Sequence, residues 1–164
     1  KIHNASTIAG MAFANAFLGI SHSLAHKIGG LWDQVHGRTN AILLPHIVRY
    51  NAKEPSKLAM WAKYEHFQAD EDYATIARYI GLKGETTEEL VEALAQAIHQ
   101  LGEDVGIKMS LKEQGVPEEW LKRDGDKIAE LAFEDQCTTA NPKQPLISEL
   151  KEVLTSAYYG KEQK

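Results

Sequence analysis

Apolar residues recur along this chain at helical spacing, and no run alternates strictly enough to read as a strand. Ser6 is placed to cap a first helix reaching roughly to Lys27. Its apolar positions Ile8, Met11, Phe13, Phe17, Leu18, Ile20 and Leu24 fall on nearly all sides. A helix that is apolar all round belongs in a core, so this one is expected to be the most buried element. Ala5, Ala9, Gly10, Ala12, Ala14 and Ala16 would let neighbouring backbones come close, and Gly29-Gly30 are expected to end it.

A loop through Asp33 and His36 then leads to a second helix, capped near Asn40, that buries Ile42, Leu43 and Leu44 and is bent by Pro45. Pro55 starts a further helical stretch with Leu58, Met60, Trp61 and Tyr64. Another helix runs from about Asp70 to Ile80, where Gly81 stops it. Thr86 and Glu89 form a capping box ahead of Leu90, Val91, Leu94, Ile98 and Leu101. Ser110 and Glu113 repeat the device for a short helix closed by Gly115. Pro117 opens a short piece holding Trp120 and Leu121, and Asp126 caps one holding Ile128, Leu131, Ala132 and Phe133. Last, Ser148 caps a helix with Leu150, Val153, Leu154, Ala157 and Tyr158 that Gly160 ends. No internal repeat or linker interrupts the pattern, so residues 1–164 read as one all-α domain.

Composition narrows the function classes. Hydrophobic residues make up 43% and charged residues 25% of 164, as in an ordinary globular domain. The net charge is −5 and the 18 Lys and Arg form no block, which argues against a nucleic-acid surface. One cysteine, Cys137, excludes a disulfide scaffold and fits a cytoplasmic setting. The longest apolar stretch, Ile8 to Ile20, is too short for a membrane span and follows no basic segment. Because the chain starts at Lys1 and enters helical sequence at once, it reads as part of a longer protein.

Four of the seven histidines fall between His22 and His46. His22 and His26, four apart, share a helix face and are spaced to share a divalent metal. His36 is fourteen residues beyond His22. On an unbroken helix that is a rise of about 21 Å, out of reach of one ion, but the Gly29-Gly30 break and the loop allow the chain to turn back. Spacing therefore permits a shared site, and it equally permits histidines that only pack. His3, His66 and His99 have no companions, and His46, after Pro45, reads as a packing residue.

The run Gly19-Ile20-Ser21-His22-Ser23-Leu24-Ala25-His26-Lys27-Ile28-Gly29, followed by His36-Gly37, resembles the signature of the iron-containing alcohol dehydrogenases. Asn40-Ala41-Ile42-Leu43-Leu44-Pro45-His46 and Arg49-Tyr50-Asn51 continue the match. Asp135-Gln136-Cys137-Thr138 and Ala140-Asn141-Pro142 resemble the family's late active-site segment. Asn4 to Phe13 and Pro145 to Lys151 are similar to the alcohol dehydrogenase half of the bifunctional aldehyde-alcohol dehydrogenases.

The resemblance implies the C-terminal helical domain of a two-domain, dehydroquinate synthase-like fold, with an upstream nucleotide-binding domain absent from this chain. It implies that His22 and His36 ligate Fe2+, with Zn2+ possible, and that an upstream aspartate and histidine complete the set. His26 would be no ligand but would lie near the nicotinamide of NAD(H) and the substrate, as a catalytic and cofactor-binding residue. Phe13 and Cys137 would line the substrate cleft. The implied activity interconverts a primary alcohol and an aldehyde, ethanol and acetaldehyde being expected, in a protein that self-associates as a dimer or filament. Neither nucleic acid nor membrane is expected as a partner. Val35 departs from the family, where proline commonly precedes the second metal histidine. Two alternatives are a zinc-dependent polyol dehydrogenase of the same superfamily and a non-catalytic helical interaction module.

Overall fold

Every regular element among the described residues is helical. The structure is a computed structural model that describes residues 1–55 and 67–161. It holds α1 (Ile2–Ala16), α2 (Ile20–Trp32), α3 (His36–Ala52), α4 (Ala69–Tyr79), α5 (Thr87–Asp104), α6 (Glu118–Phe133) and α7 (Ile147–Tyr159), with a short 3₁₀ helix over Gln136–Ala140. The helical stretch expected after Pro55, and His66, lie outside the described residues. No single helix among those described is long and apolar enough to cross a membrane.

The single helix expected from Ser6 to Lys27 is two. Phe17 adopts a left-handed conformation, φ 62°, and its amide bonds to the Phe13 carbonyl to close α1. α2 then leaves at 105° to α1. The break is stabilised from a distance. Asn141 Oδ1 accepts from the Ile20 amide (3.4 Å), one of the donors that a helix start leaves unpaired. Gly19 makes room for it, since a Cβ there would stand 2.8 Å from that oxygen. No local signal in residues 1–27 carries this, because the partner is over a hundred residues away.

The break reverses the expected burial of the first half. None of α1 is buried, and Ile2, Ile8, Met11 and Phe13 are exposed. α2 meets the expectation, with Ile20, Leu24, Ile28 and Trp32 sealed in the core. They pack with Ile42, Leu43 and Ile47 of α3, Ile128, Ala129 and Ala132 of α6, and Leu150, Leu154, Ala157 and Tyr158 of α7. A second cluster joins Val48 of α3 to Ala74 and Ala77 of α4 and to Leu90, Val91, Leu94 and Ala95 of α5. The polar ends of the two largest core side chains are paired, as burial demands. Trp32 Nε1 donates to Asp124 (2.9 Å) and the Tyr158 hydroxyl to the Val116 carbonyl (2.9 Å).

Several ends move from where the sequence puts them. α2 runs through Gly29 and Gly30 to Trp32, and Asp33, φ 51°, makes the left-handed cap instead. α3 begins at His36, so Asn40 is interior and not a cap. Glu118–Phe133 is one helix, with Asp126 inside it. Ser110 and Glu113 do bond to each other, but the segment stays a turn that Gly115 closes at φ 92°. α7 starts before Ser148, and the Glu149 carboxylate takes the Leu146 amide (2.8 Å). The Thr86–Glu89 capping box, Gly81 at φ 85° and Gly160 at φ 65° stand as read.

His46 packs, as the sequence suggests, and pays for it. Its Nε2 is buried with no hydrogen-bond partner among the described residues. Burial, with Arg49 and then His99 adding like charge, pushes its pKa down to about 4 from 6.5. The unfolded chain therefore binds a proton that the folded chain refuses between those values. His46 destabilises the fold as pH falls from about 6.5 toward 4, by about 3 kcal/mol once the window is crossed. His22, also lowered, adds in the same direction. We expect His46→Leu to flatten most of that loss in urea unfolding followed by circular dichroism. An unchanged pH slope would remove His46 from the account.

Candidate functional site

Two helices and one short turn bring the candidate chemistry together. His22 and His26 lie one turn apart on α2, and Asp33 in its left-handed cap reverses the chain after Trp32. Gln34 Nε2 donates to the Trp32 carbonyl (3.0 Å) within that reversal. Gly29 leaves space for it, because a Cβ there would meet the Gln34 carbonyl at 3.3 Å. Val35 then caps α3, its carbonyl receiving the Thr39 amide at 2.9 Å and the Thr39 hydroxyl at 3.0 Å. His36, the first residue of α3, is thereby returned to the face that carries His22.

The three imidazoles cluster. Ring centres are 5.3 Å apart for His22 and His36, 5.9 Å for His22 and His26, and 5.2 Å for His26 and His36. The last pair is stacked within 13°. His22 is half-buried, while His26 and His36 open to solvent. Burial first, and then the neighbouring His36 and His26, hold the His22 pKa below its usual value. A neutral imidazole has a lone pair to give a metal, so this environment suits a ligand. Asn40, one turn along α3, donates to His36 Nε2 (3.2 Å) and is itself held by the Ser21 hydroxyl (2.9 Å).

The late segment docks on α2 from the far end of the chain. The Thr138 hydroxyl donates to the Ala132 carbonyl (2.6 Å) and lies 2.7 Å from Ser23 Oγ. Asn141 Nδ2 donates to Asn51 Oδ1 (2.8 Å) and to the Lys143 carbonyl (2.6 Å). These bonds set Asp135 and Cys137 beside His26. Asp135 Oδ1 receives the Cys137 amide (2.9 Å), and Oδ2 lies 2.7 Å from Lys27 Nζ and 3.6 Å from His26 Nδ1. Burial alone would raise the Asp135 pKa, but the Lys27 and Cys137 hydrogen bonds outweigh it and hold it at about 2. The Cys137 thiol is buried and pushed up to about 11 by that burial and by Asp135.

The sequence-derived candidates thus separate into two groups. His22, His26, His36 and Cys137 converge, although Cys137 is over a hundred residues from His22. Phe13 stands apart on α1 with half of its surface exposed. The burial expected of its helix is not observed. Asp135, Lys27 and Asn40 are the members that reading single motifs missed. Asp135, Lys27 and Asn40 all lie inside the family-like stretches, but only the fold shows that Asp135 and Lys27 face each other.

With that geometry in place, comparison with known proteins decides the family. The model of the Fe-containing alcohol dehydrogenase family, C-terminal part, matches residues 1–158. The chain belongs to that family. It is 56% identical to the aldehyde-alcohol dehydrogenase of Streptococcus pneumoniae serotype 4 over 160 residues, 98% of this chain and 18% of that protein. It is 46% identical to the bifunctional aldehyde-alcohol dehydrogenase of Escherichia coli K12 over 165 residues, again 18% of that protein. Among solved structures, a 1,3-propanediol oxidoreductase superposes with a TM-score of 0.77 at 36% identity, over 94% of this chain and 36% of the other. The chain therefore spans about a fifth of these two aldehyde-alcohol dehydrogenases and about a third of that solved relative. The all-helical architecture expected of the family's C-terminal region is the one observed.

Proposed function

We propose that this chain is the C-terminal helical domain of an NAD(H)-linked, iron-dependent alcohol dehydrogenase that interconverts a primary alcohol and its aldehyde. The observation that carries the reading is the meeting of His22 and His36, from separate helices, at 5.3 Å between ring centres. The donor set fits the ion: two imidazoles, one held neutral by its burial, suit a divalent metal better than a solvated face would. A bound divalent ion supplies Lewis acidity to an alcohol or carbonyl oxygen.

This chain's own residues have separable tasks. His22 and His36 hold the ion, with the remaining ligands outside residues 1–164. His26, stacked on His36 and anchored beside Asp135, orients the cofactor or relays the hydroxyl proton. Cys137, buried and protonated, offers a small apolar wall, and Phe13 gives a second wall once its exposed face is covered. Hydride transfer itself belongs to the nicotinamide, whose seat lies outside this chain.

Ethanol and acetaldehyde are the proposed substrates, and self-association of the full-length protein is part of the same reading. NADH-linked acetaldehyde reduction by the full-length protein tests it. Chelation should remove the activity, and ferrous ion should restore it more fully than zinc. Activity that survives complete removal of metal would refute the assignment.

A further inference from the structure

We propose a second, thiophilic divalent-cation site on this domain, built from His26, Asp135 and Cys137. It adjoins the His22 and His36 pair, since His26 stacks on His36, and an ion there takes His26 and Cys137 out of the cofactor and substrate roles proposed above; its test does not depend on the roles proposed for His22 and His36. One ligand atom from each of the three residues lies within 4.8 Å of the other two, a nitrogen, an oxygen and a sulfur. That mixed set is the one zinc, cobalt and cadmium accept, and that magnesium and calcium do not.

Geometry favours closure around an ion. Bonds of about 2.0 to 2.3 Å place tetrahedral ligand atoms roughly 3.3 to 3.8 Å apart, so the cluster must contract by about an ångström. Two members are already fixed together. Asp135 and Cys137 sit at one end of the 3₁₀ helix, locked by the bond from the Cys137 amide to Asp135 Oδ1. The third, His26, has a side chain 39% exposed at the end of a rotatable stem, and supplies the movement.

Charge favours it too. In the metal-free arrangement two positive charges serve this group, the Lys27 ammonium on Asp135 and the proton on the Cys137 sulfur. A divalent ion brings the same two charges. Lys27, partly exposed, swings into solvent, and the thiol proton passes to buffer as the sulfur–metal bond forms. Nothing is oxidised or reduced. His26 keeps an open side toward solvent, where water completes the coordination.

The measurement is a cobalt titration of the full-length protein, read by the near-ultraviolet thiolate-to-cobalt charge-transfer band. Wild type should develop this band as one Co2+ per chain binds there. Cys137→Ser should lose it, His26→Gln and Asp135→Asn should weaken binding by about 10- to 100-fold, and His22→Gln should leave it in place. A second readout needs no variant: Zn2+ should slow alkylation of Cys137 in the wild-type protein, followed by mass spectrometry. The site does not exist if no thiolate band appears and zinc leaves alkylation unchanged. A band lost in His22→Gln but indifferent to His26→Gln would assign the sulfur to the His22 and His36 ion and overturn the proposal.

Discussion

His22→Ala or His36→Ala in the full-length protein should abolish metal retention through dialysis and with it alcohol dehydrogenase activity. The expected loss is the largest of any substitution in this chain, because each removes a donor that no neighbour can replace. Asn40 already bonds His36 and Ser21, and Asp33 sits in the reversal between the helices with its backbone committed to the cap. His26→Ala should behave differently. Its ring stacks on His36 and faces Asp135, so its removal should leave iron bound at His22 and His36 and lower turnover by about 10- to 100-fold. Metal content by plasma emission spectroscopy, beside kcat with acetaldehyde, separates the two. Equal loss of iron from all three variants would show that His26 is a ligand of the His22 and His36 ion and that its assigned role is wrong.

Residues 1–164 expressed alone should show no NAD(H)-linked turnover of ethanol or acetaldehyde, and should hold ferrous ion weakly at His22 and His36. Two imidazoles without a carboxylate ligand leave most of the coordination to water, which costs affinity. The chain also spans only 18% of these aldehyde-alcohol dehydrogenases, and no Gly-rich nucleotide fingerprint is present in its sequence. Ile2, Ile8, Met11 and Phe13 face solvent, a surface that ordinary domains keep covered. Robust turnover by the purified chain, with ferrous ion or zinc added, would mean that the site is self-contained and that the proposed division of labour fails.

Much of the architecture was legible because its causes are local. Thr86 and Glu89 satisfy each other's backbone donors within four residues, and Gly81 and Gly160 take positive φ where a helix must stop. The periodic apolar positions of α2, α5 and α7 face the cores that their spacing implies, except Leu101 of α5, which is exposed. The spacing of His22 and His26 likewise placed two imidazoles on one helix face with no knowledge of the fold.

What only the tertiary structure decided rests on contacts distant in sequence. The bend between α1 and α2 is supported by Asn141 on the Ile20 amide, 121 residues away, so apolar periodicity alone ran the two helices together. The same periodicity cannot say whether an apolar face has a partner, and α1 has none within these described residues. His36 rejoins His22 through one left-handed residue, Asp33, where the glycines had seemed the natural break. Asp135 reaches Lys27 and His26 because Thr138 and Asn141 dock the late segment onto α2. Helical type follows from short-range sterics and capping, which a sequence carries residue by residue. The site follows from where the chain returns, and that is set by packing among residues the sequence keeps far apart.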